Sequence, residues 1–288
     1  MRAADEVTFA VEGRAVRVRV SGAGSPVLLL HGIARSLEDW SAAHDLLASN
    51  HRVISADLPG FGFTRAFPGR PGLSAFARAM VGLLDAVGVE EPAHVMGNSL
   101  GGGVAMTMAA EHRDRVASLV LVDSVGFGRE VNLSPLPMTY AVLAGLPLVG
   151  KRFAPLAREA GAQVCRDQFF DPSYATPEMI RHYGRVGRQP DFRNTFLGTA
   201  FGIGVPMVGL YPGWRRRLLE QVRDSGVPVL VVWGEADSVL PASHLDAARR
   251  ALPDAQFHLF GEAGHMPQIE KAEDFVALAS EFVAKASS

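Results

Sequence analysis

Short apolar runs, each closed by a polar or glycine-rich turn, recur along the chain and alternate with longer segments of helical periodicity. A continuous apolar run is typical of a strand that is buried on both faces, as in a parallel sheet. Six segments carry such a run: 26–32, 52–60, 93–99, 116–124, 227–237 and 255–264. Four helical patterns accompany them, over 73–89, 100–112, 241–253 and 272–286. This alternation predicts a doubly wound α/β sheet, mostly parallel and twisted, with helices on both faces.

Two regions depart from the alternation. At the N-terminus, VTFAVEG and RAVRVRVSG alternate apolar and polar residues, which predicts an antiparallel hairpin at the sheet edge that turns at Gly13. Residues 126–212 contain scattered prolines and helical patches such as PMTYAVLAGL and PEMIRHYGRV, but no comparable strand run. We therefore expect a helical insertion after the sixth strand, residues 126–212 (the insertion), and one core domain made of residues 1–125 and 213–288.

Composition limits the classes of function. The 288 residues carry a net charge of −2, which gives no electrostatic case for binding nucleic acid or an anionic membrane surface. Cys165 is the one cysteine, so an internal disulfide framework is excluded and a reducing compartment is favoured. The N-terminus has no apolar run of the kind found in signal peptides, and the apolar windows are too short to cross a bilayer. We expect a cytoplasmic protein without a stable membrane anchor; its oligomeric state stays open.

The segment from Gly97 to Gly101 reads GNSLG and fits the pattern G-x-S-x-G, with a predicted strand before it and a predicted helix after it. In this arrangement the serine lies on a tight turn, and its glycine neighbours are needed because the two arms of the turn almost touch. The alternatives are a phosphate-binding turn or a merely tight glycine turn. The segment lacks the lysine of a phosphate-binding loop and the glycine spacing of a dinucleotide-binding one, which argues against the first of them. Ser99 is therefore the candidate nucleophile.

A serine nucleophile needs a base and an acid, and where the serine lies on a G-x-S-x-G turn between a strand and a helix both are expected to follow it along the chain. His265, in AGHMPQIE, comes directly after the last predicted strand and is the candidate base. Asp237, in GEADSVLP, is the candidate acid, which would hold one tautomer of the histidine and stabilise its cation. Asp123, in LVLVDS, is the alternative acid; we favour Asp237 because the insertion directly follows Asp123. His31, at the end of the third strand, is expected to shape its loop through hydrogen bonds.

An oxyanion site has a place in the same pattern. HGIARS follows the third strand, so the backbone N–H groups of Ile33 and Leu100 are the candidate donors to an oxyanion. Each such donor is typically worth ~10²–10³ in rate. The N-terminus of the helix after Ser99 adds a positive dipole end. The chemistry of such a site needs neither a metal nor an organic cofactor, and we predict none.

With these residues in place, the chain resembles the α/β-hydrolase superfamily from HGIARSLEDW through DLPGFGFT, GNSLGG and GEADSVLP to GHMPQIEKAEDF. The resemblance implies the α/β-hydrolase fold, a Ser99–Asp237–His265 triad and a helical cap, or lid, formed by the insertion. Haloalkane dehalogenases and epoxide hydrolases of this type use an aspartate nucleophile, whereas this chain has Ser99.

Within the superfamily, GNSLGG is similar to the turn of the meta-cleavage C–C hydrolases, which also carry an asparagine, here Asn98, before the nucleophile. Those enzymes usually have tryptophan where this chain has Met266. They hold the acidic end of their substrate with a cap arginine, for which Arg188 is the candidate and Arg185 and Arg193 are alternatives. Aromatic residues of the insertion, among them Phe169 and Phe192, are expected either to line an apolar substrate pocket or to form the insertion's own core.

We therefore predict a serine hydrolase that cleaves a small-molecule carboxylic ester, with an apolar acyl or aromatic group, through an acyl-enzyme intermediate. The first alternative is hydrolysis of a C–C bond in a vinylogous diketone. The second is a binding protein that has kept the fold and lost the chemistry. The same nucleophile chemistry also serves thioesters, lactones, amides and acyl transfer, which the sequence leaves open.

Overall fold

The computed structural model describes residues 6–132, 150–205 and 208–286. Its strands are β1 (Glu6–Val11), β2 (Arg14–Ser21), β3 (Pro26–Leu30), β4 (Arg52–Ala56), β5 (Ala93–Asn98), β6 (Val116–Val122), β7 (Gly204–Val205), β8 (Gly209–Leu210), β9 (Val229–Gly234) and β10 (Gln256–Phe260). Its α-helices are α1 (Ser41–Leu47), α2 (Leu73–Ala86), α3 (Leu100–Glu111), α4 (Gly150–Asp167), α5 (Pro177–Val186), α6 (Phe192–Ile203), α7 (Pro212–Ser225), α8 (Ser243–Ala251), α9 (Pro267–Glu270) and α10 (Ala272–Ala286).

The main sheet has 8 strands in the order β1-β2-β4-β3-β5-β6-β9-β10. β2 pairs antiparallel with both β1 and β4, whereas the strands from β4 to β10 along this order pair in parallel. The predicted mostly parallel sheet is confirmed. Because parallel strands place their carboxyl ends at one edge, the loops after β3, β4, β5, β6, β9 and β10 all begin there. We call this edge the carboxyl edge; the loops that carry the predicted site residues all start from it.

The N-terminal hairpin turns where the sequence predicts. Glu12 and Gly13 both have positive φ, 49° and 73°, as a two-residue hairpin turn of type I′ requires. The alternating pattern of β2 follows from its position near the sheet edge: Val16 and Val18 are fully buried, whereas the Arg17 side chain keeps partial contact with solvent.

Helices cover both faces of the sheet, which explains the continuous apolar runs. Leu28 and Leu30 of β3 pack into the larger apolar cluster, which contains side chains of α2 and α3. Val27 and Leu29, which point to the opposite face, pack into a second cluster with α1 and α10. All five residues of β3 are buried, as the run PVLLL predicts.

β10 differs from this prediction. Its run, within 255–264, predicts a strand buried on both faces, but β10 is the last strand of the sheet and Leu259 is 43% exposed. The prediction of a strand is confirmed, and the prediction of complete burial is wrong. An edge strand has a sheet neighbour on one side and less helix cover, and the apolar content of the run does not show where the strand falls in the sheet order.

In the insertion, the structure describes three α-helices, α4, α5 and α6, and the short pair β7–β8. α5 matches the predicted helical patch PEMIRHYGRV; Thr176 accepts a hydrogen bond from the Met179 N–H, and Pro177 occupies the first turn, where its missing N–H costs nothing. The patch PMTYAVLAGL lies outside the described residues. The domain boundaries at 125/126 and 212/213 stay a prediction. Among the described helices, none combines the length and the apolar character needed to cross a membrane.

Candidate active site

Ser99 occupies a strained turn between β5 and α3, with φ 53° and ψ −115°. A Cβ on Gly97 would come within 2.3 Å of the Gly101 carbonyl group, and a Cβ on Gly101 within 2.2 Å of the Leu30 carbonyl oxygen. Neither approach is possible for a residue with a side chain. The two glycines of G-x-S-x-G are therefore required by backbone-to-backbone contact, and they allow a non-glycine residue to hold positive φ between them.

Backbone hydrogen bonds fix this turn to the next strand. The Ser99 N–H donates to the Val122 carbonyl over 2.9 Å. The Ser99 carbonyl accepts from the N–H groups of Gly102 at 3.1 Å, Gly103 at 3.3 Å and Val125 at 3.1 Å. The position of Ser99 is thus set by main-chain groups of β6 and α3, and the strained conformation is held from both sides.

His265 and Asp237 form a buried pair. His265 Nδ1 lies 2.7 Å from Asp237 Oδ2, with both side chains almost inaccessible to solvent. Asp237 Oδ1 accepts from the N–H groups of Val239 at 2.7 Å and Leu240 at 2.9 Å. These donors stabilise the carboxylate form of Asp237, and its remaining oxygen fixes the histidine as the Nδ1–H tautomer, which leaves Nε2 as the acceptor.

The His265 loop is held by both the core and the insertion. Its N–H donates to the Gln168 carbonyl over 2.7 Å, and its carbonyl accepts from the Asn98 side chain over 3.0 Å, next to Ser99. Glu270 accepts from the Gly264 N–H and from the Phe170 N–H, each over 2.8 Å. Sequence reasoning missed Glu270; its place in the first turn of a helix after the histidine, in HMPQIE, is the signal that could have found it.

The loop after β3, which contains Ile33, passes close to Ser99, and Leu100 follows Ser99 directly in the chain. A Cβ on Gly32 would lie 3.3 Å from the Ser99 Cβ. The Gly32 carbonyl accepts from the Arg35 N–H over 3.3 Å, which closes a turn around Ile33, with Ala34 at φ 62°. Leu100 begins α3, so its N–H precedes the hydrogen bonds of that helix. The roles of Ile33 and Leu100 stay a prediction.

His31 has the structural hydrogen bonds that the sequence predicts. Its Nε2 accepts from the Leu58 N–H over 2.9 Å, and its Nδ1 lies 2.8 Å from the Gly32 carbonyl. These partners assign a neutral ring with the proton on Nδ1. Burial lowers the pKa of His31, in agreement with that assignment. Both ring nitrogens are occupied, so His31 is unavailable as a base.

Asp57 organises the same edge and was missed by sequence reasoning. Its Oδ1 accepts from the Leu37 N–H over 2.9 Å and its Oδ2 from the Phe63 N–H over 2.8 Å, which joins the loops after β3 and β4. A Cβ on Gly62 would lie 2.2 Å from the Asp57 carboxyl carbon. The glycines in DLPGFGFT are the available signal, because a chain that wraps around a buried carboxylate needs them.

A buried arginine joins the core to the insertion. Arg35 makes a double hydrogen bond to Asp39, with distances of 2.8 and 2.6 Å, and its guanidinium lies 3.7 Å from the centre of the Tyr183 ring. The Tyr183 hydroxyl also donates to Asp39. The Cys165 thiol, which is buried as expected of an ordinary structural cysteine, lies 3.8 Å from the same guanidinium. The charge of Arg35 is therefore already satisfied.

The other acid, Asp123, lies beside the pair. Among the described residues, one group brings three potential metal-ligand atoms within 4.8 Å of one another, and it consists of Asp123, Asp237 and His265. Asp237 and His265 already bind each other, and both Asp237 oxygens have N–H donors. We assign no metal to this group. The group shows instead that both candidate acids, Asp123 and Asp237, lie close to His265.

The residues predicted to contact substrate have different positions. Asn98 directs its amide N–H to the backbone of Val122 and His265. Met266 is fully buried in an apolar cluster that also contains Phe169 and Cys165. Phe192 is partly buried, with its ring 6.2 Å from that of Phe61. Arg188 is exposed in the turn after α5, and the alternatives Arg185 and Arg193 are exposed as well. Their roles as substrate contacts stay predictions.

Comparison with known proteins now identifies the family. A family model described as the alpha/beta hydrolase fold matches residues 25–272. The chain belongs to the alpha/beta hydrolase fold family. Membership confirms the predicted resemblance and the predicted fold class.

Relatives in the alpha/beta hydrolase fold family differ in activity. The dihydrolipoyllysine-residue acetyltransferase component of the acetoin cleaving system of Cupriavidus necator is 35% identical over 271 residues, which is 93% of this chain and 66% of that protein, just under two thirds of its length. The 2-hydroxy-6-oxo-6-phenylhexa-2,4-dienoate hydrolase of Burkholderia cepacia is 29% identical over 93% of this chain and 91% of its own. The meta-cleavage product hydrolase of Pseudomonas fluorescens has a similar structure, with a TM-score of 0.78 and 27% identity over 97% of this chain and 98% of that one.

Proposed function

We propose that the chain hydrolyses carboxylic esters through an acyl-enzyme intermediate on Ser99, with His265 as general base and Asp237 as its partner. One observation carries the proposal. The strained Ser99 turn lies at the same sheet edge as the 2.7 Å contact between His265 Nδ1 and Asp237 Oδ2. A serine in such a turn, beside a histidine oriented by a carboxylate, is the arrangement that activates a hydroxyl nucleophile.

In the first half of the reaction, His265 Nε2 takes the Ser99 hydroxyl proton while Oγ attacks the ester carbonyl carbon. The carbonyl oxygen becomes an oxyanion, for which the N–H groups of Ile33 and Leu100 are the proposed donors. Asp237 stabilises the histidine cation. The cation then gives its proton to the departing alkoxide, so an alcohol leaves and the acyl group stays on Ser99. Water repeats the sequence and releases the carboxylic acid.

The charges near the site support a neutral ester over an anionic substrate. The buried Arg35 is paired with Asp39, and the three arginines considered for an acidic group are exposed. The sequence of residues 133–149 contains no lysine or arginine. A carboxylate held in a dry pocket needs a partner of opposite charge. An uncharged substrate with an apolar acyl or aromatic group needs none.

The second candidate function is C–C bond hydrolysis of a vinylogous diketone. It is favoured by the 29% identity to the Burkholderia cepacia dienoate hydrolase over 93% of this chain, and by Asn98 beside the proposed nucleophile. Under this alternative, Arg188 would have to turn inward to bind the acidic end of the substrate. Arg188→Ala would then reduce cleavage of a ring-fission dienoate and leave ester hydrolysis unchanged.

The test is hydrolysis of p-nitrophenyl esters from acetate to palmitate by the wild type and by Ser99→Ala, with a coloured ring-fission dienoate measured in parallel. Rapid ester hydrolysis that is lost in Ser99→Ala is the expected result, and the optimal chain length measures the acyl site. Dienoate cleavage that is far faster than cleavage of every ester would overturn the ester proposal in favour of C–C hydrolysis. A folded wild type that fails to label with a fluorophosphonate probe would indicate a binding protein.

A further inference from the structure

Asp123 is a fully buried carboxyl group to which the proposed mechanism gives no part. It directly follows β6 and holds positive φ, 43°, which is uncommon for a residue other than glycine. Its N–H donates to the Val232 carbonyl over 3.0 Å, and its Oδ1 accepts from the Gly234 N–H over 2.9 Å. Its Oδ2 is buried and has no hydrogen-bond partner among the described residues. Such an orphaned oxygen is costly unless it carries a proton that it can donate.

The surroundings of Asp123 are acidic. One oxygen of Asp123, one of Asp237 and a ring nitrogen of His265 lie within 4.8 Å of one another, and the Glu270 carboxylate adds a further negative charge that acts on Asp123. Two carboxylates this close in a site shielded from water do not both ionise readily, so one of them keeps a proton.

The hydrogen bonds decide which carboxyl keeps it. Asp237 accepts from three donors, namely the Val239 and Leu240 N–H groups and the His265 ring. Asp123 accepts from one, the Gly234 N–H. Donors stabilise the charged form of a carboxyl group, so the negative charge belongs on Asp237 and the proton on Asp123.

We propose that Asp123 is a neutral carboxylic acid during turnover, and that its O–H donates to the Asp237 carboxylate and positions it against His265. The inference rests on the proposed roles of Asp237 and His265. In agreement with it, burial and the neighbouring Asp237 charge raise the pKa of Asp123 well above its ordinary value. Asp123 is thus a positioning residue, which acts on the reaction through Asp237.

Two substitutions separate this role from a structural one. Asp123→Asn keeps an oxygen for the Gly234 N–H, supplies an N–H for Asp237 and tolerates positive φ. It should retain kcat within about twofold of wild type, and the limb of the pH–rate profile that reports His265 should not move. Asp123→Leu keeps the size but supplies no donor, and should lower kcat about tenfold through loss of one charge-assisted hydrogen bond.

An ionised Asp123 would give a different pH profile. A negative charge on Asp123 would favour the imidazolium form of His265, so removing it in Asp123→Asn would move that limb of the pH–rate profile to lower pH. That shift would overturn the proposal. A drop of ~10⁴-fold in kcat for Asp123→Asn would also overturn it, because Asp123 would then be the acid of the triad.

The deciding experiment is infrared difference spectroscopy of the wild type against Asp123→Asn at pH 7, in water and in heavy water. The expected result is a carbonyl stretch of a protonated carboxylic acid that belongs to the wild type and shifts in heavy water. The difference between the two proteins isolates Asp123 from Asp57 and Glu270, whose pKa values burial also raises. Absence of the band overturns the proposal, even if Asp123→Leu fails to fold.

The infrared test does not depend on catalysis. The Ser99→Ala protein should show the same band, since the substitution leaves the carboxyl groups of Asp123 and Asp237 unchanged. Ester hydrolysis that survives in Ser99→Ala would refute the proposed function, whereas a missing band in an active wild type would refute only the role of Asp123.

Discussion

The carboxyl edge of the sheet and the insertion are built in different ways. At the edge, four residues other than glycine hold positive φ in the loops that carry the candidate site residues: Ala34 at 62°, Ser99 at 53°, Asp123 at 43° and Glu262 at 50°. Among the described residues of the insertion, positive φ occurs at Gly126 and Gly209, which are glycines. Strained backbone costs about 1–3 kcal/mol per residue and persists where the surroundings over-determine it. The core sheet therefore fixes the reactive geometry.

The insertion is attached by side chains as well as by main-chain hydrogen bonds such as that from the His265 N–H to the Gln168 carbonyl. Tyr183 donates to Asp39, Ser36 Oγ lies 2.9 Å from the His182 ring, and Asp191 pairs with Arg65 at the exposed surface. Side-chain contacts of this kind can be broken one at a time without disturbing the sheet. The contrast indicates that changes at the edge should affect chemistry and folding, whereas changes in the insertion should affect attachment. The following predictions test this contrast.

Ser99→Ala has the largest expected effect. If Ser99, His265 and Asp237 act as a unit, its removal should lower kcat about 10⁶-fold on the best p-nitrophenyl ester, with an unchanged circular dichroism spectrum. Ser238→Ala is the control. The exposed Ser238 hydroxyl donates a hydrogen bond to the Asp167 carbonyl in the insertion, so we expect its removal to leave kcat near that of the wild type. Equal losses in the two variants would contradict the assignment of Ser99.

Asp237→Asn should cost about 10⁴-fold in kcat. An amide cannot stabilise the histidine cation, and its N–H facing His265 Nδ1 favours the wrong tautomer of the ring. Steady-state kinetics on the same ester measures the loss. A near-wild-type kcat in Asp237→Asn would show that the carboxylate of Asp237 is dispensable and that the acid lies elsewhere.

Parts of the core sheet differ in how far the sequence predicts them. β3 and its loop are predictable because both sheet faces are covered, so the apolar run and the glycine turn are local consequences of the fold. The choice between Asp123 and Asp237 is not local, since both follow neighbouring strands and their donors decide between them. The roles of Asp57 and Glu270 could not be predicted for the same reason. Glu270, for example, accepts a hydrogen bond from the N–H of Phe170, which lies 100 positions earlier in the chain. The exposure of β10 depends on strand order, which no single run encodes.

A methyl group added to a glycine should have opposite effects in the two regions. In Gly101→Ala the new Cβ would lie 2.2 Å from the Leu30 carbonyl oxygen, so the turn must shift and stability should fall by about 3 kcal/mol. In Gly161→Ala the Cβ has no neighbour within 4 Å on the exposed face of α4, and stability should rise by about 0.5–1 kcal/mol. Urea unfolding measures both changes. Equal changes would contradict the close packing of the turn.

A further small effect is expected in the attachment of the insertion at acid pH. Burial alone would raise the pKa of Glu38, but hydrogen bonds from His182, Arg17 and Ser36 outweigh burial and hold that pKa below its ordinary value. A carboxyl group whose pKa is lowered by folding stabilises the folded state above the unfolded pKa of about 4.5, and this contribution disappears as the pH falls below it. Since His182 belongs to α5, protonation of Glu38 should loosen α5 before the sheet unfolds.

Hydrogen exchange between pH 5 and pH 3 tests this order, with rates normalised to those of unstructured peptides and with β5 amides as the internal reference. In the wild type, protection of α5 should fall about fivefold over this range, which corresponds to about 1 kcal/mol, while β5 stays protected. Glu38→Gln should give the weaker protection already at pH 5. Glu281→Gln, which removes an exposed carboxylate paired with Lys285 on α10, should behave like the wild type. Equal loss of protection in α5 and β5 would mean that the insertion and the sheet open together, and that the two regions share one cooperative unit.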